Sequence, residues 1–546
     1  MSLMTENLLL QAQSLRLEGE MDAAIDLLCV VISQCNSDLH NVGSREESHS
    51  MDKTTRLLRQ MASYQLALLL LQRSGRKQGC NTTGNVHDDT RNDGYEADQL
   101  LWKLGYRLRL STAAFGYTMC NCTQPNPNME SLPTIIDNAL PKLIFDALQH
   151  AFRQESRYWS QFYCKANCNQ NGTKDEERKA NQFASHNIPL PSNINASSSS
   201  YSKHVRQSKS LLEQVAIITQ HQLQEHFPQI MNATSVEVWS HKRPLDGMHQ
   251  LHYDMDEISL WKHRKKIVDS FKGDDYASQD YSKQRDSSKR LKTDHRATFR
   301  DDGISCPIVS CVIFIDIPNN QLGTCSVCGS TGNSTPTIIC NQSIIDREST
   351  NMSNIGYLCF PYPNRLLAFE GSLLHGVIPG IPCSSSIATS DDENESSCSD
   401  NSYYPGTQHG SKGLSSCDNN QRITLMMGFW KDVCLSTAKN DGEGEEVGPN
   451  LLFRDLSLGS WKEEFTPVSD IDDSFFGKKS EQTLTTHKAD IIDPLWVSIR
   501  DNNTAQDIND FGVYSSGGDN EDRQSGRFFL ESTDPRDIDN KVLNGT

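Results

Sequence analysis

The sequence predicts an α+β protein, with a helical N-terminal region leading into a β-rich region of sandwich, jelly-roll or barrel type. Two patterns predict it. Over the first 35 residues, apolar side chains return every three or four positions (Leu8, Leu9, Ala12, Leu15, then Ala24, Leu27, Leu28, Ile32), as on amphipathic helices. From about residue 235 the period falls to two, in short runs punctuated by Gly, Pro and Asn, as in an all-β core. Composition adds a third observation. The 546 residues are 36% hydrophobic with 33 Gly, short of the roughly 45–50% apolar content of globular domains. Long polar insertions therefore dilute a smaller core.

The elements follow in order. Gly19 with Glu20 reads as a turn between two helices, and Ala62–Leu71, a turn at Gly75-Arg76 and Tyr95–Leu110 read as a second helical pair. This region, 1–115, is either a tetratricopeptide-like hairpin repeat or a plain helical extension. Gly19 and Gly75 lie 56 positions apart, where that repeat has a period of about 34. Leu140–Trp159 and Leu211–Phe227 read as further helices, and the polar stretch 165–200, ending in a run of serines, reads as a flexible loop. Strands are expected at Val236–Trp239, His249–Asp254, Ile308–Ile315, Thr337–Cys340, Arg365–Phe369, His375–Ile378 and Ile423–Phe429. These place a β domain within 133–435, interrupted by insertions at 258–303 and 383–421. The second holds eleven Ser and ten Asp, Glu or Asn, a composition that stays disordered because it cannot bury a core. The tail, 440–546, is acidic and loop-rich. Its islands Leu495-Trp496-Val497 and Phe528-Phe529-Leu530 read as late strands docking back.

Several classes are excluded. No apolar run approaches the roughly 20 residues of a membrane span. A net charge of −18 argues against a nucleic-acid-binding protein, which needs Lys and Arg for phosphates. Seventeen scattered cysteines and a first six residues without a basic segment point to reduced thiols in the cytoplasm or nucleus.

The chemistry concentrates in His249-Gln250-Leu251-His252-Tyr253-Asp254. In a strand, alternate side chains share a face, so His252 and Asp254 point the same way, while Tyr253 and His249 point away. An imidazole beside a carboxylate makes two of the three ligands of a 2-His-1-carboxylate site for non-haem Fe(II). His375, in an apolar run flanked by Gly371 and Gly376, supplies the third. Those glycines permit close backbone approach to a bound group. Arg422 and Thr424 share a strand face, and a guanidinium fork with a hydroxyl beside it suits a carboxylate. Arg365, on the strand before His375, is the competing cation.

His252-x-Asp254, His375 and Arg422, in this order, resemble the Fe(II)- and 2-oxoglutarate-dependent oxygenases. Trp239–Pro244, His249–Glu257, Asn364–Gly380 and Arg422–Asp432 are similar to a prolyl-hydroxylase-like branch of that superfamily without an assigned substrate. The resemblance implies a double-stranded β-helix. It also implies Fe(II) on His252, Asp254 and His375, 2-oxoglutarate on Arg422 and Thr424, and O2 as oxidant. Hydroxylation of a protein or peptide side chain, prolyl first, is the expected reaction, with the N-terminal helices as a surface for a protein partner. An oxygenase acting on a small molecule or nucleic acid is the rival within this chemistry. A non-enzymatic scaffold retaining the β fold is the rival outside it. The remaining signals are weaker. Cys325-x-x-Cys328 has zinc-site spacing, with thin support from Cys340 and Cys359. The basic segment Lys262–Arg300 (twelve Lys or Arg against six Asp) reads as a solvated loop before a nuclear address.

Overall fold

Strand alternation sorts the β region into two antiparallel sheets with an inner and an outer face each. The larger, seven-stranded sheet has the order β12-β2-β9-β6-β11-β4-β3. Its strands are β2 (Thr134–Asp137), β3 (His186–Pro189), β4 (Ser235–Pro244), β6 (Val309–Asp316), β9 (Leu366–Glu370), β11 (Gln421–Trp430) and β12 (Thr485–Lys488). The smaller has the order β13-β8-β7-β10-β5. It is built from β5 (His249–His252), β7 (Thr337–Ser343), β8 (Gly356–Cys359), β10 (Leu373–Val377) and β13 (Asp490–Ile492). The computed structural model describes residues 2–18, 20–41, 48–80, 89–117, 132–153, 155–162, 186–191, 198–244, 249–255, 305–316, 335–344, 354–380, 421–431, 460–469, 471, 485–499 and 527–528. The insertion 258–303, the Cys325–Cys328 pair, residues 383–420 and most of the tail lie outside them.

Both outer faces are covered by helices. Ile423, Leu425, Met427 and Phe429 of β11 project outward from the larger sheet onto α6 (Lys142–Ala151), α7 (Arg157–Phe162), α8 (Ser198–Gln207) and α9 (Leu211–Leu223). Ile338 and Cys340 of β7, with Leu374 of β10, project from the smaller sheet onto the N-terminal helices. These are α1 (Ser2–Glu18), α2 (Met21–Asn41), α3 (Ser48–Cys80), α4 (Asp89–Lys103) and α5 (Thr112–Gly116). Between the sheets, Val312, Phe314, Ile339, Tyr357, Phe369, Leu373 and Met426 form a third apolar cluster. Helix α3 is buried almost all round from Ala62 to Leu71, because it lies between its helical neighbours and the sheet. Among the described residues no helix is long and apolar enough to cross a membrane.

The N-terminal layer also grips the chain just beyond β10. Gln72 Nε2 donates to Pro379 O at 3.1 Å and Tyr117 Oη donates to the same oxygen at 2.7 Å. The segment 485–499 joins three of these layers. It supplies β12 to one sheet, β13 to the other, and β14 (Trp496–Ser498), which pairs antiparallel with β1 (Tyr106–Leu110). β15 (Arg527–Phe528) pairs parallel with β1 on its other side.

Three local expectations are corrected. Gly75 is not a turn but lies inside α3, where an added Cβ would stand 2.3 Å from Thr112 O and 2.6 Å from Gly116 N. The glycine serves the crossing of α3 with α5. The helix expected over Tyr95–Leu110 ends at Lys103. Gly105, at φ +92°, then turns the chain into β1. The loop expected over 165–200 contains strand β3 and the start of α8, since Ile188 pairs with Val236 at the edge of the larger sheet.

Candidate metal centre and anion site

Strand pairing brings the sequence-distant histidines together. His375 on β10 lies directly opposite His252 on β5, and their ring centroids are 4.3 Å apart. Asp254 follows β5, and its Oδ1 stands 3.7 Å from His252 Nε2 and 3.6 Å from His375 Nε2. One ligating atom from each of the three lies within 4.8 Å of the others. Both His–Asp separations are too long for hydrogen bonds. They approach the spacing of adjacent ligands on one ion, since bonds of ~2.1 Å at right angles stand ~3 Å apart.

Neighbours fix the direction of each donor. His375 Nδ1 lies 3.0 Å from Leu373 O, which can only accept, so Nδ1 carries the proton and the lone pair is on Nε2. That Nε2 is buried and has no hydrogen-bond partner among the described residues. Ser310 Oγ donates to Asp254 Oδ2 at 2.6 Å, leaving Oδ1 turned toward the imidazoles. Phe369 packs against His375, with centroids 4.8 Å apart. An orphaned imidazole nitrogen, a carboxylate oxygen and a second imidazole in this arrangement fit a divalent cation.

Arg422 and Thr424 line a cleft with His252 and His375, walled by Val312 and Met426. Both are buried, as strand parity requires of residues sharing the inner face with Met426. Arg422 Nη1 donates to Thr335 Oγ1 at 2.8 Å and to Thr335 O. Among the described residues it forms no ion pair. Burial, and then nearby Arg243, push its guanidinium down to about 9. Arg365 is not the site's cation. Its fork closes on Asp137, with Nε to Oδ1 at 2.6 Å and Nη2 to Oδ2 at 3.0 Å.

The expectation that His249 points away from the centre is overturned. His252 pairs with His375 and His249 with Val377, so three residues of β5 span two of β10. This irregularity rotates His249 into the cleft, with its ring centroid 4.4 Å from that of His252. Burial, and then His252, hold its imidazole neutral. Tyr253 packs with the cluster between the smaller sheet and the N-terminal helices. Gly371 serves the backbone and not a ligand, since an added Cβ would meet Pro307 O at 2.3 Å; Gly376 lines the cleft. His241, Arg243, Ser310, Thr335 and Thr337 were not anticipated. Trp239-x-His241-x-Arg243 alternates onto one strand face, a signal that locates a site only once β4 is known to lie beside β11.

No family model matches the chain, and no curated protein matches it. Among solved structures the chain is similar to the crystal structure of a Pseudomonas putida prolyl-4-hydroxylase. The match has 10% identity and a TM-score of 0.18, over 46% of this chain and 89% of that chain.

Proposed function

We propose that the protein is an Fe(II)- and 2-oxoglutarate-dependent dioxygenase. One observation carries the reading: His252, Asp254 and His375 converge at one end of a cleft that Arg422 also lines, with a bare, buried nitrogen on His375. A 2-His-1-carboxylate set leaves coordination positions open, unlike a closed structural zinc site. We read the two-sheet core as a double-stranded β-helix, as the motif resemblance implies, and residues 133–435 as the oxygenase domain.

In this reading His252, Asp254 and His375 hold Fe(II), which when bound would couple O2 reduction to oxidative decarboxylation of 2-oxoglutarate and hydroxylation of a substrate C–H, releasing succinate and CO2. The chain's own groups do the positioning. Leu373 O holds the His375 tautomer and Ser310 holds the Asp254 rotamer. Arg422, anchored by Thr335, presents its other N–H groups to the distal carboxylate, with the Thr424 hydroxyl as a further donor. Val312 and Met426 keep water from the cleft wall. Burial without a counter-ion costs Arg422 free energy, which a bound carboxylate relieves. The substrate we favour is a protein or peptide side chain, prolyl first, following the motif resemblance, with the N-terminal helices as a docking surface.

The test is succinate formation from 2-oxoglutarate with added Fe(II), comparing wild type, His252→Ala and Arg422→Ala. Wild type should form succinate, and each variant should lose at least ~100-fold, in line with the loss of a metal ligand or of a buried charge-assisted pair. Equal background in all three overturns the proposal.

A further inference from the structure

We propose that Gln72 and Tyr117 of the N-terminal layer are positioning residues for Arg422, acting through Pro379, Pro336 and Thr335; this rests on the function proposed above. The helical layer is then part of the frame of the cleft and not a separate module set against it. Gln72 lies on α3 and Tyr117 directly follows α5. The two helices cross backbone to backbone at Gly75 and Gly116, where a Cβ added to Gly75 would stand 2.6 Å from Gly116 N. Gln72 is one turn before Gly75 on the same helix face, so the crossing brings it and Tyr117 to one target.

That target is the backbone just past β10. Gln72 Nε2 donates to Pro379 O at 3.1 Å and to Gly380 O at 3.3 Å, and Tyr117 Oη donates to Pro379 O at 2.7 Å. Both lone pairs of the Pro379 carbonyl are therefore taken by the helical layer. Each residue is held there at a cost. Gln72 is fully buried, and its Oε1 has no partner among the described residues. An unpaired buried amide oxygen lowers stability, which packing alone would avoid with an apolar residue at this position. Tyr117 sits at φ 54°, a left-handed conformation that costs a non-glycine residue free energy. Its ring is held edge-on against Phe360, with centroids 5.6 Å apart.

From Pro379 the route to Arg422 is short. The β7–β10 ladder ends at the pair Thr337–Val377, so Thr335, Pro336, Pro379 and Gly380 lie beyond its last rung. Beyond that rung Ile378 N donates to Pro336 O at 3.0 Å. Thr335, the residue before it, accepts both bonds of Arg422 Nη1. Arg422 has β4 beside it but not β6, whose pairing with β11 ends at Ile423. Its guanidinium thus takes its position from a strand end that the helical layer clamps. Burial and then Arg243 disfavour the charge of Arg422, and Tyr117 is close enough to act against them. The metal trio is held otherwise, by the His252–His375 pairing and by Ser310.

The experiment is calorimetric titration of the full-length protein, first with Mn(II) and then, in the Mn(II)-loaded state, with 2-oxoglutarate. Gln72→Met and Tyr117→Phe should each weaken 2-oxoglutarate binding ~3–10-fold, the range of one hydrogen bond between neutral groups, and leave Mn(II) affinity within ~2-fold. A cycle with Thr335→Val supplies a readout that a merely structural role would not move. Once Thr335→Val has loosened Arg422, Gln72→Met should weaken binding by less than ~2-fold, because both changes act on one anchor. Equal losses in the two backgrounds, wild-type 2-oxoglutarate affinity in both single variants, or a matching fall in Mn(II) affinity overturns the positioning role and leaves the proposed function standing. No 2-oxoglutarate binding by the metal-loaded wild type overturns both.

Discussion

Ser310 donates to Asp254 across 2.6 Å, and this bond decides which carboxylate oxygen faces His252 and His375. The two residues are 56 positions apart and meet because β6 lies in the sheet opposite β5. Ser310→Ala frees the carboxylate to rotate without removing a ligand. Metal affinity should fall ~10–100-fold, the usual effect of losing a partner that orients a ligand. Titration with Mn(II) checks this, and wild-type affinity would show that Ser310 does not orient the site.

Arg422 is buried and forms no ion pair among the described residues, so in the proposed function its charge serves ligand binding and weakens the ligand-free protein. Arg422→Met keeps a similar shape and removes the charge. It should raise ligand-free stability by ~1–2 kcal/mol while abolishing 2-oxoglutarate binding, because a buried charge without a counter-ion costs more than an apolar replacement. Denaturant unfolding without ligand checks the sign.

Asp137 is bound by the Arg365 fork and by His487 Nε2 at 2.8 Å, which ties β2, the approach to β9, and β12 of the tail. Burial alone would raise its carboxyl, but the bonds from Arg365 and then His487 outweigh it and hold the group below its usual range. A depressed carboxyl stabilises the fold above its unfolded value near ~4 and loses that contribution as pH falls through the folded value. Asp137→Asn should cost ~2–3 kcal/mol at pH 7. The gap from wild type should close as pH drops below ~4, measured by denaturant unfolding across that range.

Gly75→Ala sets two effects against each other. Alanine favours a helix over glycine by about 1 kcal/mol. The added Cβ, however, meets backbone atoms of α5 at 2.3–2.7 Å, and backbone cannot move aside as a flexible side chain can. Overpacking of ~1–3 kcal/mol should win. A lower midpoint in thermal unfolding is expected, and a higher one would place the α3–α5 crossing elsewhere.

Part of the candidate site was legible because Arg422 and Thr424 alternate onto one strand face, and because Asp254, just past the end of β5, stays beside His252. Long apolar strands such as Val309–Asp316 announced themselves by composition. What escaped depended on pairing. His249 faces the cleft through an irregularity between β5 and β10 that no single strand encodes. Arg243 and His241 gain meaning only from the β4–β11 register. Strands β2, β3 and β8, four residues each, are too short for a period of two to stand out. Gly75 was misread because a glycine in a helical pattern resembles a turn unless its neighbour across the crossing is known.

In the proposed function His252, Asp254 and His375 together hold one divalent cation beside Arg422. The direct measurement is anaerobic titration of the full-length protein with Fe(II), for wild type and for His252→Ala, Asp254→Ala and His375→Ala. One ion bound per chain in wild type, lost in each variant while the helical content is retained, is the predicted result. Fe(II) bound equally by wild type and His375→Ala would contradict it.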